Sequence, residues 1–430
     1  MHRVDVPSSA EQLARLHAFN PAFFSSQCLL QSQQGEGFDL LFAEGELRGL
    51  NSLSALEQGF VPQSNQHPDL PCQTGWLVYL GYELAAQFEP RLHLPPSPLP
   101  LPEAALWYCP LVLVHSHASG LTSVLADDER LLALGVEALA MRLPSPPRRS
   151  VAECLGALQQ DDPQAFLAAV AAAQAYIASG DIYQANLSRR WQVPLLAGVA
   201  LPDLAWALYE HLRWYNPAPF SAWLKGASWQ LLSASPERLL RVQGDRIDTR
   251  PIAGTHPRTD DLADLAQKLR AHPKERAEHI MLVDLERNDL GRLCVAGSVR
   301  VDELLSIEDH PSVHHLVSNI SGQLRPDTHP ADVLRALFPG GTITGCPKVR
   351  AMQIIGELEG VGRGAYTGSL GYVSNDGRMD FNILIRTLVA TPEAVHLQTG
   401  AGIVADSIPD KELAETHAKA KGLLRALGRL

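Results

Sequence analysis

The stretch FPGGTITGCPKVRAMQIIGEL, residues 338–358, is a glycine-rich turn that runs into a helix. A turn of this kind suggests a phosphate-binding loop. That loop requires lysine directly after its last glycine and then serine or threonine. Here Cys346 and Pro347 intervene before Lys348, and Val349 follows, so nucleotide binding by that route is rejected. What remains is a turn whose glycines bring backbone amides close to an anionic group, with Pro347 placed to start the helix, or a tight turn alone.

Outward from this turn the chain alternates helices and strands. A helix is predicted over 163–179, capped by Asp161-Asp162-Pro163 and closed at Gly180, the proline-near-the-start and glycine-after-the-end asymmetry. The segments IYQANLSRRWQV (182–193), PFSAWLKG (219–226), WQLLSASPERLLRVQG (229–244) and DRIDTRPIAGT (245–255) read as strands. Nearer the start, FDLLFAEGELRGL (38–50) and GWLVYLGYELAAQF (75–88) read as short strands with turn residues between, and ALWYCPLVLVHSHA (105–118) as one buried strand. Proline-rich stretches at 94–102 and 143–149 interrupt regular structure. The second marks the boundary between an amino-terminal region, 1–146, that completes the sheets and a main body, 147–430. With no internal repeat, this long mixed pattern predicts a large α/β (α+β) fold with mainly antiparallel sheets surrounded by helices.

Composition narrows the functional classes. The 430 residues are 46% hydrophobic and 19% charged, with a net charge of −11, which fits a folded globular chain and argues against general attraction to nucleic acid or an anionic membrane surface. Any anionic ligand therefore needs a local site. The six cysteines form no Cys-x-x-Cys pair, and the 16 histidines fall in no zinc pattern. The start, MHRVDVPSSAEQLARL, lacks the features of a secretory signal, and no stretch reaches the ~18 apolar residues of a membrane span. A reducing, cytoplasmic setting is expected.

Several carboxylates stand out. Ser235-Pro236-Glu237 ends an apolar run, and a carboxylate emerging there can have its pKa raised by desolvation and act as a general acid, although this pattern alone is a weak signal. LQTGAGIVADS (397–407) reads as a second glycine loop, with Gly400 and Gly402 able to present amides to a carboxylate. In the helix of 409–427, Leu413, Ala420, Leu424 and Leu427 share a stripe, while Glu412, Glu415 and Lys419 cluster elsewhere. By pattern alone that cluster is a solvated face, and so is the pair Glu275 and Glu278 at i, i+3. The two pairs together would make an oxygen-rich Mg²⁺ site; spacing alone does not bring them together.

In order, the blocks GDIYQANLSRRW (180–191), LLSASPERLL (231–240), TRPIAGTHPR (249–258), KERAEHIMLVDLERNDLGRL (274–293), VHHLVSNISGQL (313–324), the turn and helix of 338–359, AYTGSLGY (365–372), MDFNILIRTL (379–388) and GAGIVADSIPDKELAETHAK (400–419) resemble the chorismate-utilising enzymes. The resemblance implies that Glu278 and Glu415 bind Mg²⁺, with Glu275 and Glu412 beside them, and it replaces the solvated-face reading. It implies that Glu237 is the general acid for the departing 4-hydroxyl and that Arg386 and Tyr366 hold the enolpyruvyl carboxylate. It further places Gly400, Ala401 and Gly402 at the ring carboxylate, Lys419 near metal and substrate, and Thr255 and His315 along the reacting ring.

Within the family, Gln184 occupies the position where water-adding members carry an activating lysine. Glutamine is no base, so amination is expected, with chorismate as substrate and ammonia from a glutamine amidotransferase partner. The chain is most similar in pattern to the aminodeoxychorismate synthases of folate synthesis. Ala253, beside Gly254, departs from them, because many carry a nucleophilic lysine there; alanine resembles the anthranilate synthases, and a catalytically silent relative is the third reading. FFSSQCLLQSQ (23–33) and YNPAPFSAWL (215–224) resemble the tryptophan-holding elements of anthranilate synthases, which implies a tryptophan pocket at Ser32, Asn216, Pro217 and Phe220. Gln31 replaces an acidic residue of that pocket, so a remnant or ordinary sheet packing is the other reading.

Overall fold

The computed structural model describes residues 1–32, 37–144, 150–257, 273–309 and 313–430, with backbone alone at 253–257, 273–278, 309 and 313–315. Two large sheets are packed between helices, and every pairing among the described strands is antiparallel, as expected from the sequence. The first sheet runs His2–Pro7, Leu121–Ala126, Leu111–Ser116, Phe38–Ala43, Ser26–Gln31, Phe220–Lys225, Gln230–Ser235, Thr387–Ala390, Ala394–Ile403, Gln184–Pro194 and Gly345–Cys346. The second runs Ile252–Pro257, Val313–Gln323, Arg246–Thr249, Arg238–Gln243, Met379–Ile383, Ser369–Ser374, Gly75–Leu80, Ala104–Cys109 and Glu46–Leu50.

Near-continuous apolar runs such as LVLVHS and GWLVYL follow from burial on both faces. In adjacent positions, Leu41 and Leu113 pack outward with Leu13, Leu208 and Leu423 of the covering helices, while Phe42 and Val112 pack inward against Leu77, Tyr79 and Trp107 of the second sheet. The far face of the second sheet, through Trp76, Val78 and Phe381, meets Val283, Leu334 and Met352 from helices. Strands from the first 126 residues pair directly with later ones, Leu29 opposite Trp223 and Val78 opposite Gly371.

Three amino-terminal segments differ from expectation. FDLLFAEGELRGL yields two strands, but Phe38–Ala43 belongs to the first sheet and Glu46–Leu50 to the second. ALWYCPLVLVHSHA is likewise two strands, Ala104–Cys109 and Leu111–Ser116, split between the sheets at Pro110, which has no amide to give to a ladder. Residues 82–88 are helical turns rather than strand. The helix Pro163–Ala178 forms as expected, its Asp162 side chain accepting from the Gln164 amide. Among the described residues no helix is long and apolar enough to cross a membrane, and the six cysteines are free.

Candidate active site

Two neighbouring strand pairs cross from one sheet to the other at the same level. Gln230–Ser235 leaves the first sheet and continues as Arg238–Gln243 in the second; Met379–Ile383 leaves the second and continues as Thr387–Ala390 in the first. Glu237 sits on one crossover and Arg386 on the other. The crossovers are stitched together: the Ile383 amide donates to the Glu237 carbonyl at 3.0 Å and the Ala234 amide to the Arg386 carbonyl at 3.1 Å. Ser235 completes the joint, its hydroxyl donating to the Ile383 carbonyl at 2.6 Å and accepting from the Glu237 amide at 3.2 Å. Arg386 adopts φ +50°, a left-handed conformation that costs a non-glycine residue roughly 1–2 kcal/mol. Such strain gathers where a side chain must point one way.

The Glu237 carboxyl is 5% exposed. Burial pushes it up to about 7, against the pull of the Thr342 hydroxyl and the positive charges of Lys419 and Arg386. Thr342 donates to Glu237 Oε1 at 2.6 Å. The Arg386 guanidinium is drawn down by burial and up by Glu237. A carboxyl poised near neutrality thus stands within electrostatic reach of a guanidinium.

Thr342 belongs to the turn that precedes the helix Lys348–Glu359, where Gly341–Ile343 forms a single 3₁₀ turn. Asn186 holds it, donating its side-chain amide to the Thr342 carbonyl and its backbone amide to the Thr344 carbonyl, both at 2.9 Å. Gly345, at φ +141°, passes so close to the Gln184 carbonyl that a Cβ would lie 2.1 Å from it. Sequence reading missed both Thr342 and Asn186.

Gly400, Ala401 and Gly402 correct an expectation. They lie within the strand Ala394–Ile403, opposite Ser188, Leu187 and Asn186, and not in a loop. Their glycines serve close approach: a Cβ on Gly400 would stand 2.5 Å from the Leu187 carbonyl and 2.8 Å from the Tyr366 hydroxyl, and one on Gly402 would stand 2.4 Å from Gln184 Nε2. Gln184, Gly400, Gly402 and Tyr366 are therefore together. Behind Tyr366, buried Arg363 pairs with Glu359 at 2.7 Å and lies over the tyrosine ring at 5.5 Å. Burial raises the Tyr366 pKa, keeping the phenol protonated.

From the helix Pro409–Ala426, Lys419 donates to the Gly400 carbonyl at 3.0 Å and pairs with Glu415 at 2.8 Å. Glu412 lies one turn earlier. Glu275 and Glu278 fall on the helix Pro273–Gly291, but their side chains, like those of Ala253, Gly254, Thr255 and His315, lie outside the described residues. The backbones of Thr255 and His315 are paired across neighbouring strands. Among the described residues no three His, Cys, Asp or Glu side chains gather as a metal site. For the described half of the donor set, the half-exposed Glu415 carboxylate, balanced by one lysine, suits the all-oxygen preference of Mg²⁺.

Two cavities flank this centre. One of about 420 Å³ lies behind Tyr366, beside Thr387 and Gln398, and one of about 790 Å³ lies beyond Lys348; neither is lined by Glu237 or Arg386. Of the residues expected at a tryptophan pocket, Ser32 and Phe220 are the chain neighbours of Gln31 and Ser221, which pair across adjacent strands. There Gln31 accepts from the Tyr209 hydroxyl at 3.1 Å and donates to Asp39 at 2.7 Å. Asn216 faces the last helix, where a Cβ on Gly422 would strike it, and Pro217 is exposed.

The pattern of chorismate binding enzymes matches residues 8–425. An anthranilate synthase component I-like protein of Synechocystis is 44% identical, covering 88% of this chain and 78% of that protein. Aminodeoxychorismate synthase component 1 of Salmonella typhimurium is 41% identical, covering 86% and 79%. The crystal structure of anthranilate synthase component I from Streptococcus pneumoniae superposes with a TM-score of 0.78 at 31% identity, covering 94% of this chain and 92% of that one.

Proposed function

This chain belongs to the family of chorismate binding enzymes, and from that premise we propose that it aminates chorismate at ring carbon 4, as an aminodeoxychorismate synthase component I, with ammonia released by a glutamine amidotransferase partner. What carries the proposal is Glu237, a carboxyl buried at a sheet crossover, held near 7, and faced by Arg386. A protonated Glu237 gives its proton to the departing 4-hydroxyl, which leaves as water. Ammonia adds at carbon 2 as the two ring double bonds shift toward carbon 4, and its surplus proton returns to the site. A second ammonia then adds at carbon 4, the double bonds shift back, and the carbon 2 amine leaves as ammonia. The net change is one ammonia gained and one water lost, and it requires no lysine at Ala253.

Arg386 and Tyr366 fix the enolpyruvyl carboxylate, for which a planar guanidinium offers two parallel donors. Gln184 offers an amide and no base, which disfavours water as the nucleophile. Glu278 and Glu415, with Glu275 and Glu412, would hold Mg²⁺, which would supply positive charge for the ring carboxylate.

The test is product analysis of the purified chain with chorismate, Mg²⁺ and an ammonium salt at mildly alkaline pH, followed by a lyase that converts aminodeoxychorismate to 4-aminobenzoate. Accumulation of 4-aminobenzoate supports the proposal. Fluorescent anthranilate without the lyase supports the second reading, anthranilate synthesis, which Ala253 favours.

A further inference from the structure

Glu286 is a buried carboxyl that the proposed reaction does not use. It lies on the helix Pro273–Gly291, is 5% exposed, and accepts a hydrogen bond from the Gly341 amide at 3.3 Å. The next residue, Thr342, donates to Glu237 Oε1 at 2.6 Å. Asn186 grips the other side of the same turn through the Thr342 and Thr344 carbonyls. A Cβ on Gly341 would lie 2.5 Å from Leu285 Cδ2 and 3.2 Å from Glu286 Oε1, so the turn is seated directly against this helix.

We infer that Glu286 is a positioning residue for Glu237, acting through the Gly341 amide and the Thr342 hydroxyl; this rests on the assignment of Glu237 as the general acid. A buried carboxyl is costly, and an apolar side chain would fill the same place. What an apolar side chain does not provide is an acceptor for the Gly341 amide, and without that anchor the turn that aims the Thr342 hydroxyl is held from one side only. The groups that face Glu286 are Asp289 on its own helix, Lys348, which pairs with Asp289, and Glu237. Those that face Glu237 are Thr342, Lys419, Arg386 and Glu286 itself.

The test follows the carboxyl ¹³C resonance of Glu237, assigned by its absence in Glu237→Gln, through a pH titration of the full chain without metal. Kinetics with chorismate and ammonium run alongside. Glu286→Leu withdraws the anchor, the Thr342 hydroxyl leaves the carboxylate, and the Glu237 midpoint rises by about half a pH unit. Over the same change kcat falls roughly tenfold with KM for chorismate little changed. Thr342→Val gives the same rise, the double variant rises no further than Thr342→Val alone, and Glu286→Gln, which keeps an acceptor oxygen, restores the wild-type midpoint. Glu286→Asp, one methylene short of Gly341, shifts the midpoint in the same direction and serves if the leucine variant does not fold. An unchanged midpoint in Glu286→Leu and Glu286→Asp, or full additivity with Thr342→Val, overturns the inference. Failure of the wild-type chain to turn over chorismate strikes the general-acid assignment instead, and the titration still decides whether Glu286 acts on Glu237.

Discussion

Replacing Glu237 by glutamine should inactivate the protein and stabilise it, by an amount that depends on pH. The buried carboxyl is raised from an ordinary 4.5 to about 7 because burial disfavours its charged form. Below about 4.5 it is protonated folded or unfolded and costs nothing. As pH rises from about 4.5 to about 7 the unfolded chain releases a proton that the folded chain keeps, so stability is lost across that window and is level above it. At about 1.4 kcal/mol for each pH unit, the full loss is about 3 kcal/mol. Glutamine keeps an oxygen to accept from Thr342 and has no charge to bury. Urea unfolding at pH 5 and pH 8, without metal, should therefore show Glu237→Gln gaining about 2–3 kcal/mol more over wild type at pH 8 than at pH 5, while chorismate turnover falls at least about 100-fold. An equal gain at both pH values would refute the reasoning, because it would mean that Glu237 titrates alike in the folded and unfolded chain.

Other perturbations test the remaining parts. Arg386→Lys exchanges a planar fork for a point charge and should raise KM for chorismate about tenfold, with a smaller effect on kcat in steady-state assays. Gly400→Ala drives a Cβ to 2.5 Å from the Leu187 carbonyl oxygen, a backbone atom held in the sheet, and should cost about 1–3 kcal/mol in urea unfolding. Arg363→Met leaves Glu359 buried without its partner and should cost about 3–5 kcal/mol in the same measurement. Glu415→Gln removes one carboxylate charge from the proposed cation site and should raise the Mg²⁺ concentration for half-maximal turnover about tenfold or more.

Strands such as Gly75–Leu80 and Phe220–Lys225 were legible because burial on both faces writes an apolar run, whereas shorter or more polar ones such as His2–Pro7 and Val313–Gln323 were not read. Legibility failed where the chain changes sheets. Pro110 shows that a ladder must stop, but nothing local says that Leu111–Ser116 resumes in the other sheet. Glu237 was visible because Pro236 breaks an apolar run just before it, whereas Arg386 was singled out only through family resemblance. The Thr342–Glu237 hydrogen bond joins residues 105 positions apart, beyond the reach of any periodicity. Gly400 and Gly402 were seen but misplaced, since glycine needed for close approach inside a strand is written with the same letter as glycine needed for a turn.

The crossovers explain why the acid stands where it does. A strand that changes sheets must interrupt its ladder, and the interrupted backbone groups are satisfied here by the neighbouring crossover, Ile383 to Glu237 and Ala234 to Arg386, with Ser235 closing the joint. That stitching fixes the two residues on adjoining crossovers, Glu237 buried and Arg386 partly exposed. The Glu237 backbone is thus fully bonded while its carboxyl is desolvated, and desolvation raises the pKa and lowers the stability through one and the same free energy. It follows that no substitution which opens Glu237 to water can keep it protonated at neutral pH. An exposed crossover carboxylate would be more stable and a poorer acid, so stability at position 237 can be gained only by giving up the proton the reaction needs.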